Sequence, residues 1–589
     1  MKRMTASLLK FGFVILLTSV FTVGIGGIDG TKGKDGQTFL QGGSNDSLLG
    51  NYLSGRFARS QRDVDTAADY YQRALRKDPS NEVILEQAFL MAITNGGWKD
   101  ARFHAQELII KNPNHRIAQI FLGLDAFTKN QLKQSKGHFD AVGKGQIVEL
   151  ITALAKAWTL SAEKKVSEAR TTLNNKNAPE WAKFYRSYHQ ALIADLGGQR
   201  KIAEGIFDRL YQRDPRSLRI AVAYSRHLAR RGIRKKAARI LDQHIRQTRP
   251  HPESTALLAD IRAGKKIERL VSNPRDGMAE IFYGLGEALT IEGGVEYGLI
   301  YLRLGLFMEP DFPLIYSAIG QVYEQAEKYE LAIDAYKKVS RNSPIWKQVQ
   351  ISKAFALNSD ERLDEARTLL IDLSEQHATD IAPLQALGNI LRSRMKFEEA
   401  EKYFTRAINL IKTPKREHWS YYYARGVCFD RMKKWDNAEA DFQQALKLDG
   451  DQPLVLNYLG YSWVDKNRNL KQAIALIEKA VKIRPRDGYF VDSLGWAHYR
   501  LGNFKEAVDQ LEKAVQLRPE DPVINDHLGD AFWKVGRRLE ARYQWLLSLS
   551  LKPEKEVADQ INQKLANGLR AQPKTKEAKV EEQEGQPKN

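Results

Sequence analysis

One cysteine, Cys428, occurs in 589 residues. That excludes a disulfide framework and any zinc site built on several thiolates. Proline is also sparse, at 19 residues, and no run reads as a strand, so the chain leans helical. There is no phosphate loop. The Gly-Lys pairs at Gly33, Gly143 and Gly264 lack the earlier glycine such a loop needs, and no G-x-G-x-x-G follows a strand. The 11 histidines form no H-x-x-x-H pair. His498 and His527 read as packing or groove residues, and Cys428 as a small core residue. Carboxylates are spread evenly, so no acid and base pair stands out. The chain is expected to be no enzyme and to hold no cofactor and no metal.

What is present is an ordinary soluble composition, 43% apolar and 28% charged, in a chain too long for one core. The formal net charge is +19, which calls for a basic face or an anionic partner. Lys2, Arg3 and Lys10 precede the uncharged run 11–28, whose apolar heart is 11–23. Residues 1–27 read as a signal peptide or, left uncut, an N-terminal membrane anchor; 28–47 read as a flexible spacer. Either way the body is expected outside the cytoplasm, periplasmic or envelope-associated in a bacterium. No cysteine near the run could carry a lipid.

The prolines count out a repeat. Pro79 to Pro113, Pro310 to Pro344, Pro485 to Pro519 and Pro519 to Pro553 are each 34 residues apart. The stretch from Pro313 sets Tyr316, Ile319-Gly320, Tyr323, Ala332, Tyr336 and Pro344 in the order aromatic, apolar-Gly, aromatic, Ala, aromatic, Pro. The stretches from Gly488 and Pro522 repeat it with Gly495, Ala507, Leu511 and with Gly529, Ala541, Trp545. Starts at 48, 82, 116, 150, 184 and 218, then 279, 313, 347, 381, 419, 453, 488 and 522, make fourteen units. The small residues belong where two helices cross closely, and the proline ends the second helix.

This pattern resembles the tetratricopeptide-repeat superfamily, which implies an all-α, right-handed α-solenoid of helix–turn–helix units. The organisation expected is an N-terminal block 48–251, an irregular hinge 252–278, a C-terminal block 279–555, a capping helix 556–569 and a disordered tail 570–589. The final third resembles exported proteobacterial members of the superfamily. One of these is an outer-membrane lipoprotein that serves as adaptor for a periplasmic carboxyl-terminal processing protease. The resemblance implies an extracytoplasmic scaffold that brings clients to a protease. The absence of a lipidation cysteine is a departure from that relative.

The first helix of each unit is expected to line the concave side, with positions 2, 5, 9, 12 and 13 facing it. In the last repeats these and neighbouring positions give Asn457, Tyr461, Tyr489, Asp492, Trp496, Tyr499, Arg500, Asp526, Asp530 and Trp533. Aromatic anchors beside hydrogen-bonding groups suit a peptide-binding groove. Between Arg209 and Arg249 stand thirteen Lys and Arg against Asp214 and Asp242. Arg219, Arg226 and Arg230 fall on one concave stripe, a candidate dock for an anionic partner. The function expected is a scaffold or adaptor holding partner proteins in its groove, with nucleic acid disfavoured as a partner by compartment. The alternative is a membrane-anchored component of an envelope assembly or polysaccharide-secretion system, touching the membrane only through its N-terminal segment.

Overall fold

The computed structural model describes residues 47–569. The signal or anchor segment, nearly all of the spacer and the tail 570–589 lie outside the described residues. Among these there are thirty α-helices and no strand. In chain order the first pairs are α1 (Leu48–Ser60) and α2 (Val64–Lys77), α3 (Glu82–Asn95) and α4 (Trp98–Lys111), α5 (Arg116–Thr128) and α6 (Leu132–Ala141), α7 (Gln146–Ala162) and α8 (Val166–Thr171), α9 (Glu180–Leu196) and α10 (Arg200–Arg213), α11 (Leu218–Arg230) and α12 (Arg234–Gln247). A single helix follows, α13 (Pro252–Arg262). Pairing resumes with α14 (Pro274–Ile291) and α15 (Val295–Met308), α16 (Pro313–Gln325) and α17 (Tyr329–Lys337), α18 (Trp346–Ser359) and α19 (Leu363–Gln376). Then come α20 (Ile381–Ser393) and α21 (Phe397–Asn409), α22 (Trp419–Arg431) and α23 (Trp435–Leu448), α24 (Pro453–Asp465) and α25 (Leu470–Ile483), α26 (Gly488–Leu501) and α27 (Phe504–Leu517), α28 (Pro522–Lys534) and α29 (Arg538–Ser550), closed by α30 (Lys555–Asn567).

The turn inside each pair is the most regular feature. The fifteenth position of every one of the fourteen units has positive φ. Gly96, Gly198, Gly232, Gly293, Gly502 and Gly536 fill it in six units, and residues such as Arg62, Asn130, Glu327, Met395 and Lys433 in the others. A left-handed residue lets the chain reverse within a few residues, so the two helices of a pair lie antiparallel.

Size complementarity then sets how closely they approach. Gly55, Gly123, Gly320, Gly388, Gly495 and Gly529 on first helices each face a large side chain sixteen residues on: Tyr71, Phe139, Tyr336, Phe404, Leu511 and Trp545. A Cβ on Gly529 would lie 2.5 Å from the Trp545 ring, and one on Gly495 2.6 Å from Leu511. In the unit from Glu82 the sizes are exchanged, with Phe89 on the first helix and Ala105 on the second, both fully buried. The signature alanines Ala67, Ala101, Ala203, Ala332, Ala438 and Ala507 are fully buried too. The repeat is therefore specified by paired volumes, as close packing requires.

The chain divides into two compact units, one ending at Leu369 and the other beginning at Leu370. The expected hinge at 252–278 is not where one core ends. Pro252 lies 34 residues after Leu218, so α13 is in register as a first helix whose partner is missing. Leu257, Leu258, Ile261, Ile267 and Val271 are buried in the same core that runs from Ala58 to Met308. Asn273 caps α14 in a reciprocal capping box with Asp276. The two lysines and the proline that look like a break in the sequence mark a lost second helix within one continuous core.

That core has a further property. In the first unit α14 and α15 return to the earlier repeats. α14 packs on α7 and α9, and α15 on α3 and α5. Phe307 meets Trp98 and Phe121 at ring separations of 5.0 and 5.2 Å. Tyr185 on α9 donates to the Gly284 carbonyl, 3.3 Å, and Arg59 on α1 pairs with Glu296, 2.6 Å. The first unit thus covers part of its own inner surface with its own helices.

Candidate functional site

In the second unit successive first helices touch one another, α20 with α22, α24 with α26, and α26 with α28. First helices therefore line the inner side of the stack. Local sequence fixes their starts: Pro453 and Pro522 occupy first helical positions, Asp487 accepts from the Tyr489 amide, and Asp521 from those of Val523 and Ile524.

The expected groove residues divide into three groups. Trp496 is partly exposed. Its ring lies parallel to Tyr499, 4.8 Å away, and to His527 of the next repeat, 4.1 Å away. Tyr461 is also partly exposed, and burial with the nearby carboxylates of Asp492 and Asp465 pushes its hydroxyl up to about 12. Asn457 donates to the Ser493 hydroxyl at 3.1 Å, while its Oδ1 has no partner among the described residues. Arg500 reaches back to the Asp465 carbonyl, 3.3 Å. Tyr489 is exposed at the start of α26 beneath Arg518. These five remain on the surface.

A second group serves packing. Tyr499 and Asp492 are buried. Asp492 accepts from His527 Nδ1 at 2.9 Å. Burial works against a charge on His527, but Asp492, with Asp526 and Asp530 behind it, outweighs burial and raises the imidazole above its usual range. Of the two roles the sequence leaves open for His527, packing or groove, the structure gives it packing, with an ion-pair partner one repeat back.

The third group is claimed by α30. Lys564 donates to both oxygens of Asp526, 2.8 and 2.7 Å, and to Asp530, 2.9 Å. Trp545 Nε1 donates to Asp530 as well, 2.9 Å. The backbone at Gly568, with φ +67, lies directly against the Trp533 indole. Asp526, Asp530 and Trp533 are thus occupied by the capping helix, and the groove ends one repeat earlier than the sequence reading placed it. The signal that could have shown this is Lys564 itself, a cation two helices beyond two inward-facing carboxylates.

The basic stripe fares differently. Arg219 pairs with Glu253, 3.0 Å, and with Glu280. Burial opposes its charge, but the two carboxylates overcome that and raise its pKa further. Tyr188 donates to Glu280 and Arg219 also lies near the Tyr283 ring. Arg230 pairs with Asp195, 3.0 Å, which also accepts from His227, and Arg226 donates to the Glu268 carbonyl, 3.2 Å. All three arginines sit among internal partners, so they form no free docking stripe. The carboxylates come from α9, α13 and α14, outside the segment whose excess charge drew attention. Cys428 is buried, and burial pushes its thiol up to about 12.

Family models described as tetratricopeptide or TPR repeat match residues 47–82, 314–344, 384–417, 419–452 and 495–536. A TPR repeat-containing protein of Pseudomonas aeruginosa is 27% identical over 193 residues, a stretch covering 31% of this chain and 30% of that protein. Among solved structures, a chain of the APC/C hetero-tetramer Cut9–Hcn1 matches over 89% of this chain and 96% of its own, at 14% identity and a TM-score of 0.38. YrrB, described as a TPR protein with an unusual peptide-binding site, matches over 33% of this chain and 97% of its own, at 18% identity and a TM-score of 0.27. The five segments matched by the repeat models place tetratricopeptide repeats in both of the chain's compact units.

Proposed function

We propose that the chain is a non-enzymatic scaffold that holds partner polypeptides along the inner face of its second unit. The observation that carries this reading is the row Asn457, Tyr461, Trp496 and Arg500 on α24 and α26. Two partly exposed aromatic rings stand there beside an amide and a guanidinium, on neighbouring helices. An extended segment crossing those helices would meet one anchor per repeat, and aromatic and arginine side chains dominate such contacts. In the first unit the equivalent surface is partly covered by α14 and α15, so the second unit is the better host.

The setting of this activity is outside the cytoplasm, on the strength of the basic start and apolar run at 1–28. The resemblance of the final third to an adaptor supports a role in presenting clients to an envelope protease. The test is capture of partners from an envelope fraction by the whole chain and by Trp496→Ala, with melting temperatures measured in parallel. A stable variant that loses its captured protein supports the reading. Loss of capture only in proportion to unfolded protein refutes it.

A further inference from the structure

Four residues on the outer face of α29 break the surface pattern of the repeats. Leu539 is 67% exposed, Tyr543 64%, Leu546 52% and Leu547 41%. Their spacing of four, three and one places them on one side of the helix. The same positions one repeat earlier are Lys505, Asp509, Glu512 and Lys513, and in the repeat from Pro313 they are Glu330, Asp334, Lys337 and Lys338. Packing does not explain the change, because the buried side of α29 is made by Ala541, Trp545 and Ser548. Contiguous exposed apolar surface on an otherwise charged protein marks a contact site.

The charges beside the stripe indicate what it contacts. Arg538 and Arg542 border one edge by helical spacing, and both are exposed. Arg538 lies over the Trp533 ring, 3.9 Å from its centroid, and Arg542 spends one donor on the Leu565 carbonyl, 2.8 Å, leaving the rest of its guanidinium outward. Glu540, on the other edge, is already paired with Arg537. The surface offered is an outward ridge of leucine and tyrosine with an unneutralised basic flank.

We infer that the outer face of α29 docks on the surface of an anionic lipid bilayer. Leucines can enter the boundary between headgroups and acyl chains, tyrosine suits the interface, and arginines meet lipid phosphates. A fluid bilayer accepts an outward ridge without a shaped counterpart, which a protein partner would have to supply. This inference is independent of the groove on α24 and α26.

The test needs a local readout, because the run at 11–23 can bind vesicles by itself. The full chain carrying Leu546→Cys is labelled with an environment-sensitive fluorophore, and Asp509→Cys, one repeat earlier, serves as control. Cys428 is buried and stays unlabelled in the folded protein. The expected result is a severalfold rise and blue shift of emission at position 546 with phosphatidylglycerol-containing vesicles, none at 509, and weakening in high salt. Adding Leu539→Gln and Tyr543→Gln is expected to abolish the rise without changing the melting temperature. No change at 546, an equal change with phosphatidylcholine alone, or a rise with protein concentration in the absence of vesicles would overturn the inference, the last pointing to a second copy of the chain.

Discussion

Gly277 on α14 lies so close to Trp158 on α7 that a Cβ at Gly277 would overlap the indole. Trp158 is fully buried and donates from Nε1 to His189, 3.0 Å. The return of α14 onto the early repeats therefore depends on one missing methyl group. Gly277→Ala is expected to cost about 1–3 kcal/mol through overpacking, and Trp158→Ala about 3–5 kcal/mol through the cavity left. Denaturant melts, with proteolysis followed at α14 and α15, distinguish a loosened α14 from global unfolding.

Arg219 holds α11 to α13 and α14 through Glu253 and Glu280. Arg219→Met leaves both carboxylates buried without their partner and is expected to cost about 3–5 kcal/mol. Adding Glu280→Gln to Arg219→Met should recover part of that loss in the same urea titration. Reversing Arg219, Arg226 and Arg230 to Glu would place like charges together inside the unit. Loss of helical signal is the expected outcome, in place of the unchanged fold a surface stripe would give.

Glu287 and Glu324 are expected to contribute stability to the first unit that falls as pH rises, against an opposite slope from buried histidines such as His189, whose imidazole burial holds down at about 3. Burial pushes the carboxyls of Glu287 and Glu324 up from 4.5 to about 7, with Tyr283 and Tyr336 donating to them. Between these values the folded chain binds more protons than the unfolded chain, so the contribution is complete below 4.5 and lost through about 7. Thermal melts from pH 4.5 to 8 on the chain and on Glu287→Gln should diverge by this contribution, the variant losing less stability between 4.5 and about 7; identical pH profiles would assign no such role to Glu287.

Met395 is 77% exposed and sits at φ +57 in the turn between α20 and α21. Left-handed backbone costs a non-glycine residue about 1–2 kcal/mol, offset in part by the extra freedom glycine gives the unfolded chain. Met395→Gly is expected to raise the melting temperature slightly, whereas Gly502→Met at the corresponding turn should lower it.

Outside 252–278 the repeat units are legible in the sequence, because they rest on local volumes and turns that recur about every 34 residues. Gly320 with Tyr336 and Gly529 with Trp545 are visible in the sequence once the period is found. The roles of the site residues were not, since they depend on contacts far along the chain. Arg219 looks like a surface cation until Glu280, 61 residues later, is brought beside it. Asp526 and Asp530 look like groove carboxylates until α30 delivers Lys564. Pro252 was in register all along, but the missing second helix hid it.

An open array of repeats tolerates the gain or loss of a unit, because each contacts only its neighbours. The seating of α14 on α7 removes that freedom from the first unit. Inserting one helix pair between α12 and α13 would turn Gly277 away from Trp158 and strand Glu280 from Arg219. The number of repeats there is consequently fixed by geometry, so evolution can vary the side chains of this stretch far more readily than its length.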